Sequence, residues 1–329
     1  MKKITIISGI ITLMMILLWG IIIIFKSGIS ELLIKNDKLR LAATLYGDEL
    51  VLNKINEKNY ISIKDSYEVD TNDNNDKNNE DMNKYEEEIL TNDDNSEYKI
   101  INMEIDGYKS YLVVIYDASK VKLVSSKAFN KNNTGQQTVK EICKRYDGLV
   151  CINGGGFVDW GTGSDIPLGY VIEDGKITWD SKGTAKLIGF NKENKLVLLN
   201  TTGEEALNMG VRDALEFGPF LIKDGKILVD EDEKVGGFLR ASRVAIAQRQ
   251  DGIVLFLVTE GMHAKGPTVY QIAETLKKYG AYNAGNLDGG ASSSLVVEGK
   301  LINNPLNIYG QKVNGGAGRS VVSGFGLMK

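Results

Sequence analysis

The sequence predicts an α+β domain with a mixed β-sheet, few helices and several β-hairpins, preceded by one N-terminal transmembrane helix. Three observations predict it. Glycine is plentiful (36) and proline scarce (4) in a 329-residue chain of ordinary globular composition, 43% hydrophobic and 25% charged. Glycine at this level without a repeat points to tight turns and hairpins rather than a helical bundle. From Tyr98 onward, short apolar runs alternate with Asp-Gly and other turn signals. Ahead of them, Ile4 to Phe25 is apolar and free of charge.

At about 1.5 Å per residue, the Ile4–Phe25 run spans roughly 33 Å, enough to cross a bilayer core of about 30 Å. It exceeds the 7–15 apolar residues of a cleaved signal peptide, and no small-x-small site follows Trp19. Residues 1–29 therefore read as an uncleaved signal anchor, with membrane contact through residues 4–25. The short N-terminal tail stays inside, which gives a single-pass cell-membrane protein with its C-terminal domain extracellular. Residues 30–69 read as a stalk. Residues 70–97 hold eleven acidic and two basic side chains and almost no apolar ones. Such a segment cannot bury enough surface to offset chain entropy, so it reads as a disordered linker. Residues 98–329 read as one folded unit.

Within that unit, Ile100 to Ile105, Tyr111 to Tyr116 and Val121 to Ser125 read as strands. A helix fits Gln136 to Tyr146, with Val139, Ile142, Cys143 and Tyr146 on one face. Leu149 to Ile152 follows as a buried strand. Asp174-Gly175 and Asp224-Gly225, each between apolar pairs, are hairpin turns, and Glu298-Gly299 is a looser version. Ile253 to Thr259 is apolar throughout and reads as a central strand. A second helix fits Thr268 to Tyr279, with Thr268 and Gln271 at capping-box spacing, Val269, Ile272, Ala273 and Leu276 as its buried stripe, and Gly280 ending it.

The net charge of −4 argues against a general nucleic-acid binder. The acidic segment alone carries −9, so the remainder is mildly basic, about +5. The single histidine, His263, excludes a zinc site built from several histidines. Asp70 to Asn75 lacks the glycine of an EF-hand loop, so no metal site is indicated and no cofactor is required, although a divalent cation is compatible with the residues. Cys143 and Cys151 flank the Asp147-Gly148 turn. They fit a disulfide in an extracellular domain or, equally, two buried thiols.

Three glycine-rich strand ends carry the candidate chemistry: Asn153-Gly154-Gly155-Gly156-Phe157, Asn286 to Ser293, and Gly315 to Ser320. None matches a P-loop or a dinucleotide fingerprint. In combination they are more specific. Asn153-Gly-Gly, Gly218-Pro219-x-Leu221-Ile222-x-Asp224-Gly225, Arg243-Val-Ala-Ile and Asn286-Leu-Asp288-Gly-Gly-Ala-Ser292-Ser, in this order, resemble the phosphodiester glycosidase family. The resemblance covers roughly residues 100–329. The chain departs from the usual pattern at Gly156, Ala247 and Glu260.

What the resemblance implies is hydrolysis of the glycosidic bond of a sugar-1-phosphodiester, in a cell-surface or secreted glycan such as an exopolysaccharide. The leaving phosphate ester needs little protonation but does need contacts for its charge. Arg243 and Arg319 are candidates for that role, assisted by amides of Gly154, Gly155, Gly289 and Gly290. One carboxylate must act at the anomeric carbon as nucleophile or base, Asp288 first and Glu260 second. Asn153 and Ser292 would bind sugar hydroxyls or orient the carboxylate, and His263 lies in a loop placed for substrate contact. Phe157, Trp160 and Tyr170 suit sugar stacking or core packing. Each residue also has a structural alternative: a turn cap for Asp288 and Glu260, an ion pair for Arg243 and Arg319, idle exposure for His263. Two other functions remain open: a non-catalytic glycan-binding or assembly module, and a phosphodiesterase cutting P–O with a metal on Asp288, Glu260 or Asp159.

Overall fold

In the computed structural model, the described residues are 79–92, 96–129, 135–159 and 165–329. The expected anchor at residues 4–25, the stalk at 30–69, the first part of the linker and Trp160 lie outside them. No helix among the described residues is long and apolar enough to cross a membrane.

The domain is mostly β, with four α-helices among the described residues: α1 (Asn79–Leu90), α2 (Val139–Arg145), α3 (Gly203–Asn208) and α4 (Val269–Lys278). The few helices and the hairpins agree with expectation, but the mixed sheet does not. Every strand pairing among the described residues is antiparallel. All-apolar strands such as Val254–Thr259, which read as central, are buried on both faces as the strands of parallel sheets usually are. Here the two-sided burial comes from layering instead.

A seven-stranded sheet contains Tyr98–Ile105, Tyr108–Ile115, Val254–Thr259, Val244–Arg249, Ala281–Leu287, Phe220–Lys223 and Lys226–Ile227, in that order. Besides a small two-stranded pairing of Gln137–Thr138 with Ser320–Val321, two five-stranded sheets, one around Val211–Glu216 and one around Gly148–Asn153, complete the body. All three contribute to one central core, with Val113, Ile246 and Phe256 from the first, Ile188, Phe190 and Leu215 from the second, and Ile152, Leu295 and Phe325 from the third. Each sheet then buries its outer face under a helix. Helices α1 and α4 cover the large sheet, α2 covers the third and α3 the second.

The local signals are realised closely. Asp174-Gly175, Asp224-Gly225 and Glu298-Gly299 all have positive φ at both positions, as a two-residue hairpin of the primed type requires. Asp106-Gly107 is a fourth such turn, joining the first two strands. Helix α4 carries the capping box of Thr268 and Gln271 and buries Val269, Ile272, Ala273 and Leu276. Helix α2 begins at Val139 rather than Gln136, because Gln137–Thr138 is extended and Thr138 caps it. Cys143 and Cys151 form a disulfide that ties α2 to the Gly148–Asn153 strand.

The linker expectation is corrected for residues 79–90. Helix α1 docks on the large-sheet side, with Ile89 fully buried. Glu86 pairs with Arg249, the Tyr279 hydroxyl donates to Glu88, and the Tyr85 and Tyr279 rings meet edge-on at 4.9 Å. An acidic segment can fold when a few apolar residues and a buried cation await it on the body.

Candidate active site

The three sheets deliver their strand ends to one place. Gly148–Asn153 runs into Gly154-Gly155, Val211–Glu216 into Phe217, and Ala281–Leu287 into Asp288. The Asp288 amide donates to the Gly154 carbonyl at 2.8 Å. Asn153 Nδ2 donates to the Asp288 carbonyl at 2.6 Å, and its Oδ1 accepts the Ser294 amide at 2.9 Å. The close approach needs glycine: a Cβ on Gly154 would stand 2.3 Å from Leu215 and 2.9 Å from the Gly324 backbone.

Asp288 is half-buried at this junction. Burial pushes its carboxyl up to about 6, and the nearby Asp159 adds to the rise. Hydrogen bonds from Ser292 and the Gly289 amide, and the charge of Arg319, oppose it. Arg319 bridges to Asp159 at 2.5 Å and lies over the Phe157 ring at 4.9 Å. The result is a poorly solvated carboxylate facing a cation that is itself tied to a second carboxylate. Such a group can act as base or nucleophile near neutral pH. Asn286 Oδ1, Ser293 Oγ and Ser294 Oγ are buried without a hydrogen-bond partner in the same turn.

Asn153 fits the second of its two expected roles, since both ends of its amide hold the Asp288 turn. Several expected contacts are corrected. The Gly154 and Gly155 amides are spent on Ser323, on its carbonyl and its hydroxyl respectively. The Gly290 amide is spent on the Ser242 carbonyl, and Gly289 packs so close to that oxygen that a Cβ would stand 2.6 Å away. Ser292 is buried and orients the Asp288 carboxylate.

The Arg243 guanidinium donates to the carbonyls of Phe238, Leu239 and Pro267, and burial pulls it down to about 10. It ties the Phe238–Leu239 loop to Pro267, just ahead of α4. Glu260 follows the Val254–Thr259 strand, which is separated from the Asp288 strand by Val244–Arg249. Two strand spacings make about 10 Å. Its carboxylate accepts the Asn304 amide at 3.0 Å, and burial raises its pKa. His263 is brought closer. Its ring centroid lies 3.6 Å from that of Phe238, and its Nδ1 stands 4.0 Å from where a Gly290 Cβ would be. Tyr170 is buried, with its hydroxyl on the Gly183 carbonyl, and so serves packing.

Sequence reasoning missed Asp159 as the partner of Arg319, and Glu216. Burial pushes Glu216 up to about 7, while the Tyr170 amide and the Ser181 hydroxyl hold the same carboxylate oxygen. Its place just before the Gly218-Pro219 motif was the available signal. Among the described residues, no three metal-ligating side chains gather.

Three antiparallel sheets thus bring a poorly solvated carboxylate, a cation and a second carboxylate to one end of a β scaffold. The phosphodiester glycosidase family model matches residues 147–328, and the chain belongs to that family. It is 30% identical over 207 residues to an SPbeta prophage-derived uncharacterized protein of Bacillus subtilis, covering 57% of this chain and 30% of the relative. It is 30% identical over 185 residues to the human N-acetylglucosamine-1-phosphodiester alpha-N-acetylglucosaminidase, covering 51% of this chain and 35% of that enzyme. The chain thus spans about a third of the length of the curated relatives it matches. The catalytic domain of the zebrafish enzyme of the same name, auto-inhibited by its pro-peptide, superposes with a TM-score of 0.59 at 20% identity. That match covers 72% of this chain and 85% of the zebrafish one, and is a likeness of fold.

Proposed function

We propose that this protein is a hydrolase that cleaves the glycosidic bond of a sugar-1-phosphodiester in a cell-surface or secreted glycan. The observation that carries the reading is the Asp288 carboxylate, held by Ser292 and Gly289 within the field of Arg319, in a member of this family. In the proposed reaction the C1–O bond breaks and the phosphate monoester leaves with the electron pair. Asp288 attacks the anomeric carbon to form a glycosyl ester that a water then hydrolyses, or it removes a proton from a water that attacks C1 itself. The hydroxyl of that water ends on the sugar. Arg319 accepts the charge of the departing phosphate. His263 and Phe238 line the same end of the domain and would contact the sugar.

We place the domain outside the cell, tethered by residues 4–25. The disulfide supports an oxidising compartment, and the mildly basic remainder of the chain suits an anionic surface. The test is turnover of a simple N-acetylglucosamine-1-phosphodiester by the full-length protein. Asp288→Asn is expected to lower kcat at least 1,000-fold in a folded protein. Near-normal turnover by that variant sinks the reading, and no turnover by the unsubstituted protein across a panel of sugars favours a glycan-binding module.

A further inference from the structure

Lysine in a strand reads as a solvated side chain, and Lys186 does not behave as one. It belongs to the Ala185–Asn191 strand, where Ala185 and Leu187 face the α3 side and Ile188 and Phe190 face the central core. Alternation puts Lys186 on the core side. There it is half-buried, and loss of solvation lowers its pKa. Among the described residues its ammonium has neither a hydrogen bond nor an ion-pair contact, and Glu233 acts on it only through its field.

Its neighbours locate it at the rim of the Asp288 junction. The Phe217 amide donates to the Lys186 carbonyl at 3.2 Å, and the Phe217 ring stands 3.2 Å from where a Gly156 Cβ would be. Lys186 Cδ is 3.3 Å from the corresponding position on Gly218. The Gly218 carbonyl in turn accepts from Asn286, two residues before Asp288. Lys186 therefore lies beside the Gly218 turn, which holds Asn286 two residues before Asp288. A partly desolvated cation with no hydrogen bond or ion-pair contact is costly unless an anion completes it.

We propose that Lys186 is an anion-binding residue that holds a phosphate group on the leaving-group side of the substrate. This rests on the phosphodiester reading, and a binding measurement separates the two. Inorganic phosphate would be titrated calorimetrically into the full-length protein, its Lys186→Met variant and its Lys186→Arg variant. KM and kcat would be measured on a simple N-acetylglucosamine-1-phosphodiester. The expected result is at least a ten-fold weaker phosphate affinity and higher KM for Lys186→Met, a smaller change in kcat, and substantial rescue by Lys186→Arg. Equal phosphate affinity in Lys186→Met and the unsubstituted protein overturns the proposal. So does an equal loss in both variants with lowered thermal stability, which marks a packing role, or no phosphate binding by the unsubstituted protein. Phosphate binding that depends on Lys186, with no glycosidic turnover across a panel of sugar-1-phosphodiesters, leaves Lys186 as an anion-binding residue and removes the phosphodiester reading.

Discussion

Asp288 carries opposite demands of stability and chemistry. Its folded pKa, about 6, lies above the ordinary 3.8, so the folded state binds the proton more tightly than the unfolded chain. Stability from this group is therefore full below about pH 4 and is lost as pH rises through about 6. Asp288→Asn removes that penalty and is expected to raise stability at pH 7 by about 1–2 kcal/mol, while abolishing turnover. Thermal melts at pH 4 and pH 7 check it, and the gain should shrink at the lower pH. The same ionisation sets the acid limb of kcat, expected near pH 6, and an unchanged limb in a slow but active Asp288 variant contradicts the assignment. The sequence pointed to Asp288 and Arg319 through their motifs. It misplaced the Gly154 and Gly155 amides, because a motif says which residues gather but not which carbonyl or hydroxyl takes each donor. The Arg243 guanidinium meets the Phe238 and Leu239 carbonyls, a local contact invisible without the loop's path.

At the scale of elements, the signals that were legible are the ones decided within a few residues. Asp-Gly turns fixed the hairpins because both positions tolerate positive φ. Thr268 and Gln271 fixed the start of α4 because the cap is local. Helix α1 was illegible because its support is distant: Arg249, Tyr279 and Tyr116 lie far along the chain. Its acidic face reads as solvated until Arg249 is in view. Ile89→Ala is expected to cost about 2–4 kcal/mol, as deletion of a fully buried side chain does, with little change in KM because the contacts of α1 lie at the Arg249 end of the sheet. Chemical denaturation of the full-length protein reads this out. A loss below about 0.5 kcal/mol would make α1 an ornament rather than a part of the domain.

For the whole molecule, three antiparallel sheets share one core and spend their outer faces on helices, which leaves the converging strand ends free to build a site. The sequence could not choose between mixed and antiparallel sheets, since burial on both faces produces the same apolar runs in either. The site at that convergence joins a carboxylate from the large sheet, a glycine turn from the third and a lysine from the second. Under the proposed function, it holds the sugar and the phosphate apart as the bond between them breaks. Hydrolysis of an N-acetylglucosamine-1-phosphodiester in heavy-oxygen water tests this most directly, with the two products weighed by mass spectrometry. Label in the sugar is the expected result, from C–O cleavage at the anomeric carbon. Label in the phosphate means cleavage of the P–O bond and contradicts the account.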